Sequence, residues 1–199
     1  MRHAQRLYPK VVGAAWRRLH PAIQDVHTWP GPVCAVARFA VRRRCGRLAG
    51  LLLDLARVPV AGEDISVRLT VDHRDTPSGP CERWQRVFAG RPLVTFQAES
   101  PGGLLAERVG PLEFRFRLTV DAGSLVFRQV GCWLRLGPAS MRLPRRLAPV
   151  VWCRETGSEA VHEDAVHETV VTVTVTAAGG GLLFSYHGAV AWEPGAGGS

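Results

Sequence analysis

The side chains best equipped for chemistry in this chain are two glutamates and four arginines: Glu82, Arg83, Glu107, Arg108, Arg91 and Arg145. A carboxylate beside a guanidinium can position an anionic substrate, and a glutamate stripped of water can act as a general base. The same residues suit a plainer role, as ion pairs that set strand order or as solvated outward groups, and we expect that role because structural networks also perturb acids. The run His162-Glu163-Asp164-Ala165-Val166-His167 has the residues of a zinc-protease motif without its spacing. Metal-binding H-E-x-x-H sets two histidines four apart on one helical face, whereas these are five apart and would face opposite ways on a strand, so no metal is expected. His20 and His27 each follow an apolar residue by four, Trp16 and Ile23, and are expected at the boundary of an apolar face. The chain contains no G-x-S-x-G elbow, no P-loop, no G-x-G-x-x-G after a strand and no recognisable Cys–His arrangement, so neither catalysis nor a cofactor is expected.

Other totals narrow the classes further. Five cysteines, Cys34, Cys45, Cys81, Cys132 and Cys153, form no C-x-x-C pair, which argues against a disulfide framework or a zinc ribbon and for reduced, mostly buried thiols. The net charge of +8 invites a nucleic-acid reading, but 24 of the 25 basic residues are arginines and only Arg42, Arg43, Arg44 and Arg47 cluster, so nucleic acid is not the expected partner. The N-terminal apolar residues are interrupted by Arg17, Arg18 and His20, leaving no signal-peptide core, and the aliphatic patch at Leu48 to Leu55 is far shorter than the ~20 residues of a membrane span. A cytoplasmic location follows as the expectation.

The elements that must position these groups are legible in the periodicity. Val12, Trp16, Leu19, Ile23 and Val26 recur at helical steps, with Pro21 dividing the region into two pieces. Trp29 to Pro32 mark a turn, and Val33, Ala35, Ala37, Phe39 and Val41 alternate along a strand. Leu48, Leu51, Leu52 and Leu55 have the spacing of a short amphipathic helix that caps a sheet, or of a surface-seeking helix beside its arginines. Beyond Ala61 the period becomes twofold: Ile65, Val67, Leu69 and Val71; Trp84 and Phe88; Val94, Phe96 and Ala98; Leu112, Phe114, Phe116, Leu118 and Val120. Strands follow near 124 to 136, 150 to 156, 163 to 176 and 182 to 192, the last presenting Leu182, Phe184, Tyr186, Val190 and Trp192 on one face. Residues 137 to 149 show no clear period. No repeat or composition shift divides the chain, so residues 1–193 are read as a single domain and 194–199 as a disordered tail.

The segments PVAGEDISVRLTV (59 to 71), ERWQRVFAGR (82 to 91), LLAERVGPLEFRFRLTV (104 to 120), LPRRLAP (143 to 149) and LLFSYHG (182 to 188), with the opening YPKVVGAAWRRLHP (8 to 21), resemble the bacterial family called domain of unknown function 4166. The chain departs from the family's usual pattern at Ala89, Ser185 and His187. Members of that family occur alone and fused to nucleotide-binding dehydrogenase-like modules, which implies an accessory role beside an NAD(P)-dependent oxidoreductase but no reaction.

The expected architecture is therefore α+β, with short N-terminal helices packed on a strongly curved, mainly antiparallel β-meander, half-barrel or barrel-like. The leading functional expectation is a non-catalytic module binding a small apolar or lipid-like ligand in the concave face. Trp84, Phe96, Phe114, Phe116, Trp133 and Tyr186 are the expected walls, and Arg91 and Arg145 the polar anchors at a rim. Two alternatives stand beside it: an accessory domain that meets a partner protein, and an enzyme using the cluster of Glu82, Glu107 and Arg108.

Overall fold

The computed structural model describes residues 6–29, 31–44, 46, 50, 53–54, 58–158 and 167–194. The proposed cap helix at 48 to 55 falls largely outside the described residues, as do most of the 162 to 167 motif and the tail beyond Pro194. Helix α1 (Leu7–Val12), a 3-10 turn (Gly13–Arg18) and helix α2 (Pro21–Thr28) open the chain. Pro21 is the first residue of α2, where its missing amide hydrogen costs nothing, and the His20 ring accepts a hydrogen bond from the Ala22 amide at 3.3 Å.

Among the described residues eleven strands follow, all paired antiparallel: β1 (Val33–Arg43), β2 (Gly62–Thr76), β3 (Gly79–Phe88), β4 (Arg91–Ser100), β5 (Leu104–Val109), β6 (Leu112–Asp121), β7 (Ser124–Leu136), β8 (Ala139–Arg142), β9 (Val150–Ser158), β10 (His167–Thr176) and β11 (Leu182–Pro194). Strand β11 pairs with β1, and β6 pairs with β7, so ten strands close into a barrel while β8 hangs on β7 as the second arm of a hairpin. Closure leaves no free sheet edge over most of the wall. Two-residue turns at Ala89-Gly90 and Ala122-Gly123 take positive φ at both positions, the geometry whose twist matches tight hairpins.

The N-terminal helices stop one end of this barrel. The His20 amide donates to the Gly123 carbonyl at the β6–β7 turn (2.9 Å), Lys10 pairs with Glu99 near the end of β4 (2.6 Å), and Leu7, Tyr8, Ile23 and Val26 are buried against the strands. Inward residues of β1 (Val33, Ala35, Ala37, Phe39, Val41) and β2 (Val67, Leu69, Val71) continue the core exactly as twofold spacing requires of one face. Among the described residues no helix is long and apolar enough to cross a membrane.

The seam between β1 and β11 depends on Gly188, which sits opposite Phe39. A Cβ there would lie 2.1 Å from the Arg38 carbonyl oxygen and 2.4 Å from the Phe39 ring. Because the first obstacle is backbone, the strands must part to admit it. We expect Gly188→Ala to lower the unfolding free energy by about 2–3 kcal/mol, read by chemical denaturation, and an unchanged midpoint would contradict this account of the seam.

Candidate functional site

Alternation brings the inward side chains of the wall to a cavity of about 660 Å³. Its walls carry Phe39, Trp84, Phe114, Phe116, Tyr186 and Trp192, with Val171, Val173 and Val175 from β10. Its floor, toward the helices, is formed by Tyr8, Gln97, Phe127 and Glu155. At the other end Leu53, Val58, Pro111, Pro149 and Leu183 surround the mouth.

A polar node interrupts this apolar lining. Strand β3 turns Glu82, Trp84, Arg86 and Phe88 inward in succession, and β4 turns Leu93, Thr95 and Gln97. The Arg86 guanidinium donates to the Thr95 hydroxyl at 3.1 Å, lies 5.0 Å from the centre of the Trp84 ring and stands 3.9 Å from the Glu107 carboxylate. Burial pulls the Arg86 pKa down, but its interactions with Tyr186 and Glu107 outweigh burial and the net shift is upward, so it keeps its charge. Burial also pushes the Tyr186 hydroxyl and the Cys153 thiol well above their ordinary ranges, so both stay neutral. Cys153 is therefore a thiol in the cavity wall and a poor nucleophile.

Beneath the node lies a second buried pair. The Tyr8 hydroxyl donates to Gln97 Oε1 at 2.7 Å, the Tyr8 ring stacks on His27 with centroids 3.7 Å apart, and His27 Nε2 meets Glu155 Oε2 at 3.1 Å. Desolvation lowers the His27 pKa, yet the Glu155 carboxylate, through its charge and its hydrogen bond, reverses this and the net shift is upward. His27, expected at the boundary of an apolar face, is instead 1% exposed and forms part of the plug.

The structure places the expected site residues in two groups. Trp84, Phe114, Phe116 and Tyr186 line the cavity, as does Glu107. Glu82 also faces inward, in one cross-strand row with Gln97 and Glu107, but there it accepts the Trp84 indole hydrogen at 2.9 Å and lies 3.4 Å from His73 Nδ1. That row brings the two glutamates to one level of the wall, with Gln97 between them.

Phe96, Trp133, Arg91, Arg108 and Arg145 are not in the cavity. Phe96 is 40% exposed and has the Arg108 guanidinium 5.4 Å from its ring on the outer face, because β4 spends its inward positions on the partners of Arg86 and Tyr8. The twofold frame proposed there, Val94, Phe96 and Ala98, is the outward one. Trp133 is flipped outward by a register shift between Arg115 and Phe116 that doubles up a residue of β7, and it lies between Arg115 and Arg142 at 4.0 and 5.4 Å. Arg91 opens β4 and is exposed, and Arg145 is exposed in the loop after β8. The anchor that residue reading missed is Arg86. Its signal was present, since it stands midway between Trp84 and Phe88 on the inward frame.

Other charged groups act as fasteners outside the cavity. Glu113 is gripped by Arg115 (2.9 Å) and Arg135 (2.5 Å); burial raises its pKa, but these two hydrogen bonds prevail and hold it below the ordinary carboxylate value. Cys132 is buried and its thiol is pushed up to about 11 by burial. A polar cleft of about 550 Å³ at the stopped end is bordered by Arg6, Asp72, His73, Arg74 and Glu82. Among the described residues no group of three or more His, Cys, Asp or Glu side chains could hold a metal ion.

Comparison with known families places this barrel. The model of the domain of unknown function family DUF4166 matches residues 19–190. The chain belongs to that family. Neither a curated protein nor a solved structure matches it. For this DUF4166 chain the matched span runs from Leu19, just before α2, through Val190 on β11, so it takes in all of the barrel's strands except the end of β11 from Ala191 to Pro194. Helix α1, which supplies Tyr8 to the plug, precedes the match.

Proposed function

We propose that this DUF4166 barrel is a non-catalytic module that holds one small, lipid-like molecule in its interior. The observation that carries the reading is the continuous cavity of about 660 Å³, walled by aromatic and aliphatic side chains and reaching from the helical plug to the end bordered by Leu53, Val58, Pro111, Pro149 and Leu183. Volumes of this order enclose most of a drug-sized ligand, and such sites are characteristically apolar with a few placed polar groups. Here those groups are Arg86, Glu107 and Tyr186. Arg86 and Glu107 together carry no net charge, so the node favours an uncharged hydroxyl or carbonyl over a carboxylate, which Glu107 would repel, or an ammonium, which Arg86 would repel.

Native mass spectrometry of protein purified from its own host tests this, together with titration of a neutral, environment-sensitive naphthalene dye followed by competition. We expect a one-to-one adduct, and decanol to displace the dye about tenfold more effectively than decanoate or decylammonium, because an uncompensated charge in the node costs more than ~1.4 kcal/mol. Bare monomer combined with no dye uptake would reject the reading.

A further inference from the structure

The end of the barrel opposite the helices carries a second feature that the cavity does not explain. Leu136 at the tip of β7 is 66% exposed, Met141 on β8 is 59% exposed and Leu147 in the following loop is 72% exposed. Leu134 pairs with Met141 and with Leu112 of β6, and Leu112 lines the cavity, so the apolar face of the β7–β8 hairpin continues directly from the cavity wall onto the surface. Large apolar side chains exposed along a hairpin and the loop that follows it mark a contact surface. Arg142, Arg145 and Arg146 are exposed within the same segment, and Arg42 and Arg44 are exposed at the end of β1 on the same rim. Arg43 between them is neutralised by Asp54 at 2.8 Å.

We propose that this rim is a docking surface for an anionic phospholipid bilayer, with Leu136, Met141 and Leu147 entering the headgroup region and the arginines meeting lipid phosphate. The inference rests on the reading that the cavity holds a lipid-like molecule, which would then pass between bilayer and barrel without crossing water. Charge complementarity selects the bilayer: basic side chains beside inserted apolar ones are the pattern that anionic leaflets attract, each arginine adding a similar increment of affinity. The stopped end has its own exposed pair, Arg17 and Arg18 in the 3-10 turn, but these stand on the far side from the mouth and provide an internal control.

The test is flotation of the full chain with vesicles of phosphatidylcholine alone or of phosphatidylcholine with phosphatidylglycerol. We expect binding only to the second, weakened by salt. Arg145→Gln with Arg146→Gln should reduce it about thirtyfold, Leu147→Ser about tenfold, and Arg17→Gln with Arg18→Gln should leave it unchanged. Equal loss from the two arginine pairs would show adsorption by net charge and overturn the proposal, as would equal binding to neutral vesicles or no binding to either. The neutral-dye titration on the same proteins separates the two ideas: dye uptake without vesicle binding removes the docking surface and leaves the cavity reading intact, whereas vesicle binding without dye uptake does the reverse.

Discussion

Replacing His27 by alanine should lower the unfolding free energy by about 3–5 kcal/mol near pH 6, the largest single effect we expect from a polar substitution in this protein. His27 and Glu155 are both nearly inaccessible to water and meet at 3.1 Å, so removing the imidazole leaves a carboxylate buried without its cation. The Tyr8 stacking partner is lost as well. The pH dependence provides the sharper check. The folded pKa of His27 is raised above its ordinary 6.5, so its contribution is complete below about 6.5 and is lost as pH rises through the folded value. Wild-type stability should therefore decline through that window, and the component due to His27 should be missing from the variant. Converting both partners to apolar residues, His27→Leu with Glu155→Leu, should recover much of the loss, because a buried ion pair is seldom better than well-packed hydrocarbon. A loss below about 1 kcal/mol in His27→Ala at pH 6 would mean that the helical plug is held by its apolar residues alone.

Val173→Phe should leave the protein folded and nearly as stable as the wild type while weakening uptake of the neutral dye several hundredfold. Val173 is buried and faces the cavity from β10, between the cross-strand partners Cys153 and Tyr186. A ring placed there occupies space that the proposed ligand needs. A ligand that forfeits about 150 Å² of apolar contact loses about 4 kcal/mol at ~25 cal/mol per Å². The stability change should be small, since the new atoms enter existing space rather than a filled core. Should the added ring disturb folding, Leu183→Trp at the mouth makes the same test from a half-buried position. Dye affinity unchanged in a folded variant would place the dye outside the barrel and sink the ligand reading.

Much of the wall was legible because burial on one face and water on the other impose a period of two. Strands β1, β2, β6 and β10 show this cleanly: Val67, Leu69 and Val71 face in, and so do Phe114, Phe116 and Leu118. Strand β11 keeps the expected frame from Phe184 onward, but a register shift before it sets Leu183 rather than Leu182 on the cavity. Strand β4 misleads for a physical reason. Its inward Thr95 and Gln97 are polar because Arg86 and Tyr8 need partners, and the apolar Phe96 is left outside under Arg108. Strand β7 misleads for another, since one extra residue reverses the facing of everything after it, including Trp133.

The amino-acid order by itself determined that short helices precede a long antiparallel meander, where Pro21 begins α2, and which residues of most strands are turned from water, because each of these follows from local sterics and nearest-neighbour alternation. It also carried enough family signal to place the chain in DUF4166. Only the tertiary structure decided that the meander closes on itself through β1–β11 and β6–β7, that the helices stop one end rather than fill the interior, and that Arg86, Glu107 and Tyr186 meet inside it. These depend on contacts between residues as far apart as Val33 and Pro194, whose geometry is set by accumulated strand twist and register, and no local pattern records them.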